Sequence, residues 1–111
     1  LTLTFQQPKV LLLDEPTSHL DLRNKVLTVE VLRSIASRGI IVITTEHDPN
    51  LASVLADRVL LMKNGKVISY GKVKDVLSRE NLIRLYETDI EVFEKNGVRY
   101  VLPIISDLLS Q

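Results

Sequence analysis

The chain has 111 residues, 45% of them hydrophobic and 25% charged, with fourteen basic and fourteen acidic side chains and no cysteine. That is ordinary globular composition, enough for one small domain or part of a larger one. The cancelled charge gives no bulk reason to expect nucleic acid or an anionic membrane surface as partner. The missing cysteines exclude disulfides and thiolate metal sites, and no apolar run approaches the roughly 20 residues that span a bilayer.

No basic and apolar leader of the secretory kind precedes the first strand, and the composition fits a cytosolic chain. Residue 1 is leucine and the only methionine is Met62, so the expectation is a chain trimmed, started unusually or cut from something longer. In Leu1–Gln7, Leu1, Leu3 and Phe5 alternate with threonines, which reads as a strand or as a frayed helix end. Val10–Leu13 is a continuous aliphatic run of the sort found in a sheet buried on both faces. Asp21 can cap a helix whose apolar stripe runs through Leu22, Val26, Val29, Leu32, Ile35 and Ala36, with Gly39 placed where it would end. Ile40–Thr44, rich in β-branched residues, is a second buried strand. Strand, helix and strand in about 35 residues make a βαβ unit, so the two strands should be parallel with a right-handed crossover.

After "TTEHDPN" a short helix is expected over Leu51–Ala56. Arg58–Met62 and Lys66–Tyr70 flank "KNGK", and Ile90–Phe93 and Val98–Leu102 flank "EKNG"; Asn-Gly between such runs predicts a tight hairpin in each case. Between the hairpins, Val73–Leu77 and Leu82–Tyr86 read as short helices, with Ser78 a candidate cap. No internal repeat, linker or low-complexity stretch interrupts the chain.

In a parallel α/β sheet, ligands bind beyond the carboxyl ends of the strands. One such end delivers Asp14 and Glu15, the other Thr44, Thr45, Glu46 and His47. Neighbouring strands would bring the acids and the imidazole into one crevice, within about a dozen ångströms of each other. A carboxylate at a dry strand end suits a hard cation such as Mg²⁺, which keeps part of its water shell. A second carboxylate can polarise an attacking water, and an imidazole can hydrogen-bond a phosphate oxygen. Successive strand residues point to opposite faces, so Asp14 and Glu15 share a site only where the chain leaves the strand at once, as Pro16 allows. Taken singly, an acidic pair after a strand is a solvated strand end, a loop histidine is inert and Asp21 is a helix cap. The constellation carries the signal.

That constellation resembles a known family. "LLLDEPTSHLD" followed by "TTEHD" is similar to the second half of an ATP-binding cassette (ABC) ATPase, and the resemblance runs from about Pro8 to Pro103. "LLLDEP" resembles the Walker B strand, "SHLD" the D-loop and His47 the switch histidine. "ADRVLLMKNGKVISYGKVKDVL" and the tail "LIRLYETDIEVFEKNGVRYVLP" are similar to ATPases of iron-chelate and vitamin B12 importers. The resemblance implies an α/β fold, a partial P-loop NTPase-type sheet with a parallel βαβ core followed by β-hairpins and short helices. Residues 1–111 would be a single domain, the C-terminal half of a nucleotide-binding domain. It implies ATP and Mg²⁺ as cofactors, with Asp14 holding the metal through water, Glu15 polarising the attacking water and His47 contacting the γ-phosphate. Ser18, His19, Leu20 and Asp21 would touch a second ATPase subunit. A transmembrane permease would be the other partner, at the cytoplasmic face of a membrane.

Two departures stand out: Glu46 adds negative charge beside the switch histidine, and "LTLTFQQ" lacks the Ala- and Arg-rich helical look expected ahead of Walker B. The P-loop signature, the "LSGGQ"-type signature and the glutamine loop are nowhere in these residues, so the chain alone should bind ATP weakly or not at all and should not hydrolyse it. With half its cover missing, it should self-associate or dock with the absent half. Two other readings remain, a non-catalytic remnant acting as an interaction module and part of a soluble, non-transport ABC ATPase.

Overall fold

The computed structural model describes residues 9–105, and Leu1–Gln7, read above as strand or frayed helix, lies outside them. The chain divides into two compact units, one ending at His47 and one beginning at Asp48. The first combines one helix with a two-stranded sheet and the second combines short helices with two two-stranded sheets, an α/β fold.

The first unit contains β1 (Val10–Leu13), α1 (Leu22–Ser37) and β2 (Ile41–Thr44). β1 and β2 pair in parallel, from Val10 opposite Ile41 to Leu13 opposite Thr44. Two parallel strands cannot be joined by a tight turn, and the helix is the crossover that their direction requires. Its start is set by Asp21, whose carboxylate accepts the Asn24 N–H at 2.8 Å. Its end is set by Gly39, which takes a φ of 88° that a side chain would resist.

Both strands are aliphatic apart from Thr44 at the end of β2, yet they are covered on one face only. Leu11, Leu13 and Val42 are half-buried, and α1 packs against β2. On the opposite face, Val10, Leu12, Ile41 and Ile43 remain 45%, 70%, 60% and 52% exposed. Within the first unit, burial on both faces is therefore not reached.

The second unit runs α2 (Pro49–Leu55), β3 (Arg58–Lys63), β4 (Lys66–Lys72), α3 (Val73–Val76), α4 (Arg79–Tyr86), β5 (Ile90–Lys95) and β6 (Val98–Pro103). β3–β4 and β5–β6 are the expected antiparallel hairpins. Asn64 and Gly65 have φ of 51° and 75°, Asn96 and Gly97 of 54° and 77°. Positive φ at both central residues is what a tight turn between right-twisted strands demands, and Asn-Gly tolerates it best.

Two helices start earlier than their apolar residues suggest. Asp48 accepts the Asn50 N–H, and Pro49 supplies the first turn of α2. Ser78 caps α4 through the Asn81 N–H, so that helix begins at Arg79 and not at Leu82. In both cases a polar cap, and not the first buried side chain, fixes the boundary. Asn50 also uses its carboxamide as a strand would: Nδ2 donates to the Val101 carbonyl at 3.0 Å and Oδ1 accepts the Val101 N–H at 2.5 Å. Such side-chain bonds occupy an edge of β6 that would otherwise invite another strand. The core of this unit is Leu61, Val76, Leu77, Leu82, Ile90 and Val101, all buried.

Candidate functional site

At the carboxyl ends of β1 and β2 the parallel register carries on one step, with the Thr45 N–H donating to the Leu13 carbonyl at 3.1 Å. This places Thr45 beside Asp14. The Thr45 hydroxyl donates to Asp14 Oδ1 and accepts the Glu15 N–H at 2.9 Å. One threonine thus fixes both acids, the first by its carboxylate and the second by its backbone.

Glu15 leaves the strand by adopting a left-handed backbone, φ 44°. For a residue with a side chain this conformation costs about 1–2 kcal/mol, so other bonds must hold it. The bond to Thr45 is one, and the Ser18 N–H donating to the Glu15 carbonyl at 3.0 Å is another. The left-handed step breaks the strand alternation and lets Glu15 share a site with its neighbour. Its carboxylate meets the ring of His47, with Nε2 to Oε1 at 2.5 Å, an ion pair when the imidazole is protonated. The imidazole is 90% exposed and the Glu15 side chain 35%, so the pair faces outward, where a ligand can reach it.

Asp14, Glu15 and His47 are therefore brought together as expected. Ser18, His19, Leu20 and Asp21 form the turn that follows, tightened by the Leu20 N–H donating to the Thr17 carbonyl at 3.3 Å. Ser18 and His19 are exposed, Leu20 is half-buried, and His19 is a second left-handed residue with φ 65°. Asp21 spends one oxygen on the cap of α1. Glu46, which stood out as an unhelpful charge, accepts from the Thr17 hydroxyl at 2.8 Å and from the His47 N–H at 3.2 Å.

Two residues matter here to which sequence alone assigns no role: Thr45, placed at the second strand end, and Thr17, not singled out. Thr45 and Thr17 were visible as polar residues after aliphatic strands, but their partners lie 29–31 positions away and depend on strand register.

Among the described residues, no three histidine, cysteine, aspartate or glutamate side chains converge as a metal cage. Mg²⁺ needs no such cage, since it is commonly held through one or two carboxylates plus water and phosphate oxygens. Asp14 fits that demand. It is exposed, its Oδ1 is oriented by Thr45, and its Oδ2 has no protein donor among the described residues.

No family model matches the chain. Among curated proteins, the hemin import ATP-binding protein HmuV of Bradyrhizobium diazoefficiens is 45% identical over 96 residues, 86% of this chain and 36% of that protein. Among solved structures, a transporter described as of the metal-chelate ABC type, in an inward-facing conformation, aligns with a TM-score of 0.77 and 28% identity, over 90% of this chain and 42% of the other. CbiO1 of Clostridium perfringens, described as part of the ABC transporter complex CbiONQ, aligns with a TM-score of 0.59 and 37% identity, over 69% of this chain and 31% of its own. The chain spans about a third of the length of the curated relatives it matches.

Proposed function

This chain is homologous to a segment of the ATPase subunit of ABC transporters, and from that premise we propose that it supplies the carboxylates and the imidazole of a Mg-ATP-hydrolysing site that powers import. The observation that carries this reading is the meeting of Glu15 and His47 at 2.5 Å, beside an Asp14 oriented by Thr45. Asp14 would hold Mg²⁺ through water. Bound there, the metal would neutralise charge on the phosphates. Glu15 orients and polarises the attacking water as general base, within reach of the His47 imidazole that contacts the γ-phosphate. The turn from Ser18 to Asp21 faces a second ATPase subunit. The cradle for the phosphates comes from residues other than these, because the 111 residues contain no glycine-rich P-loop.

The relatives' names, which mention hemin import and a metal-chelate type transporter, support heme or a metal chelate as the class of cargo; a permease as the membrane partner and the cytoplasmic face of the membrane as the location belong to the same proposal. A non-catalytic interaction module is the second reading, favoured by the bare aliphatic face of β1 and β2.

A chimera separates the two. Residues of this chain replace the matching third of the Bradyrhizobium HmuV protein, and ATP hydrolysis is measured. The expected result is hydrolysis that falls about 100-fold or more in Glu15→Gln and in His47→Ala. Equal hydrolysis by parent and variants would remove the proposed roles, and a chimera that folds and binds ATP without hydrolysing it would favour the second reading.

A further inference from the structure

Thr17 is the one buried polar residue among the described positions, 1% exposed. A hydroxyl taken out of water must find a partner, or its burial costs more than the fold gains. The partner is Glu46 Oε2, at 2.8 Å. The other oxygen of the same carboxylate accepts the backbone N–H of His47 at 3.2 Å. One side chain thus reaches both the turn that carries Ser18–Asp21 and the residue that carries the imidazole.

The surrounding backbone makes this link consequential. Glu15 and His19, on either side of Thr17, are both left-handed, and such residues persist only where neighbouring bonds over-determine them. Loss of the Thr17 bond frees the middle of a strained turn and removes one donor from the carboxylate directly beside His47.

We propose that Glu46 is a positioning residue that couples the turn around Thr17 to the switch histidine. A displacement of Ser18–Asp21 would then be felt at His47 without any contact between the two. For catalysis this rests on the roles proposed above for those residues; the coupling itself is a property of this chain. It also accounts for a negative charge placed where phosphates would disfavour it: both oxygens are engaged by the protein.

The test needs no nucleotide. The chain has two histidines, His19 in the turn and His47 at the switch, so each end of the link carries its own reporter. Ring proton resonances of both are recorded by NMR in the full chain and in Thr17→Val, Thr17→Ser, Glu46→Ala and Glu46→Gln. Thr17→Val is expected to move the His47 signals and Thr17→Ser to restore them. Glu46→Ala is expected to move the His19 signals, and adding Thr17→Val to it should cause no further change at His47. In denaturant, the Thr17 and Glu46 substitutions should be non-additive by at least about tenfold in the unfolding constant.

His47 signals untouched by Thr17→Val, or effects that simply add, would overturn the coupling. Should Thr17→Val unfold the first unit, the Glu46 pair decides: His19 displaced in Glu46→Ala and spared in Glu46→Gln supports the link, and His19 unmoved in both refutes it. Hydrolysis does not enter these readouts, so their failure is distinct from failure of the chimera.

Discussion

From Asp48 onward, Leu61, Val76, Leu77, Leu82, Ile90 and Val101 bury one another behind two closed hairpins. In the residues up to His47, Leu32 is the one buried aliphatic among the described positions, while Val10, Leu12, Ile41 and Ile43 stand open on the sheet and Leu22, Val26, Leu27 and Val31 stand open on the helix. The candidate site belongs to the second, poorly covered kind. It needs strand ends and left-handed residues with charged side chains, and neither contributes apolar burial. A parallel sheet is normally covered on both faces, so the unit bearing the candidate site calls for cover from other residues; the hairpin unit buries a core of its own, although Leu60, Met62, Val67, Phe93 and Leu102 stand open on its strands.

The largest expected effect follows from that contrast. Leu82→Ala removes a fully buried side chain and should cost about 2–5 kcal/mol in urea unfolding followed by circular dichroism. Leu12→Ala, on the bare face, should be close to neutral when unfolding is followed at concentrations dilute enough to keep the chain monomeric, since surface substitutions usually stay within about 0.5 kcal/mol. Equal losses at both positions would show that the face of β1 is covered in solution. A smaller effect concerns association. The chain should sediment as more than a monomer, and Leu12→Lys should weaken that association at least about tenfold, through the lost burial of one large aliphatic side chain. Monomeric behaviour of the unchanged chain would contradict it.

The smallest effect is a pH dependence in the well-covered unit. Burial, and then the nearby charge of Asp48, raise the pKa of Tyr86 above its ordinary value. The native state therefore holds the phenol proton more tightly than the unfolded chain does. The contribution is intact below the ordinary tyrosine range and is lost as pH rises through that range toward the raised native value. Tyr86 is 42% exposed, so the loss should be slight, and Tyr86→Phe should flatten it in urea midpoints measured across that range. A Phe variant as sensitive as the parent would assign the dependence elsewhere.

Much of the fold was legible because its signals are local. Asn-Gly fixes a tight turn whatever surrounds it, and Asp21 and Gly39 bracket α1 by their own backbone chemistry. Boundaries slipped where a cap lay ahead of the apolar residues, as at Asp48 and Ser78. In the site, Asp14, Glu15 and His47 could be brought together from sequence because two adjacent parallel strands end there. The bonds of Thr45 and Thr17 could not be read, because their partners are set by strand register and by the left-handed step at Glu15. Pro16 signalled that the chain leaves the strand, but it did not say which residue turns. Glu46 stood out by its charge alone for a similar reason: the charge is visible in the sequence, and the buried hydroxyl that meets it is not.

We propose that these residues carry the acids and the imidazole of a nucleotide site whose phosphate cradle lies elsewhere. Isothermal titration of the 111-residue chain with Mg-ATP, beside the same titration of the HmuV chimera, tests it most directly. Saturable binding is expected for the chimera and none at micromolar concentrations for the chain by itself. Micromolar, saturable binding by the chain would contradict the division of labour proposed for the two sets of residues.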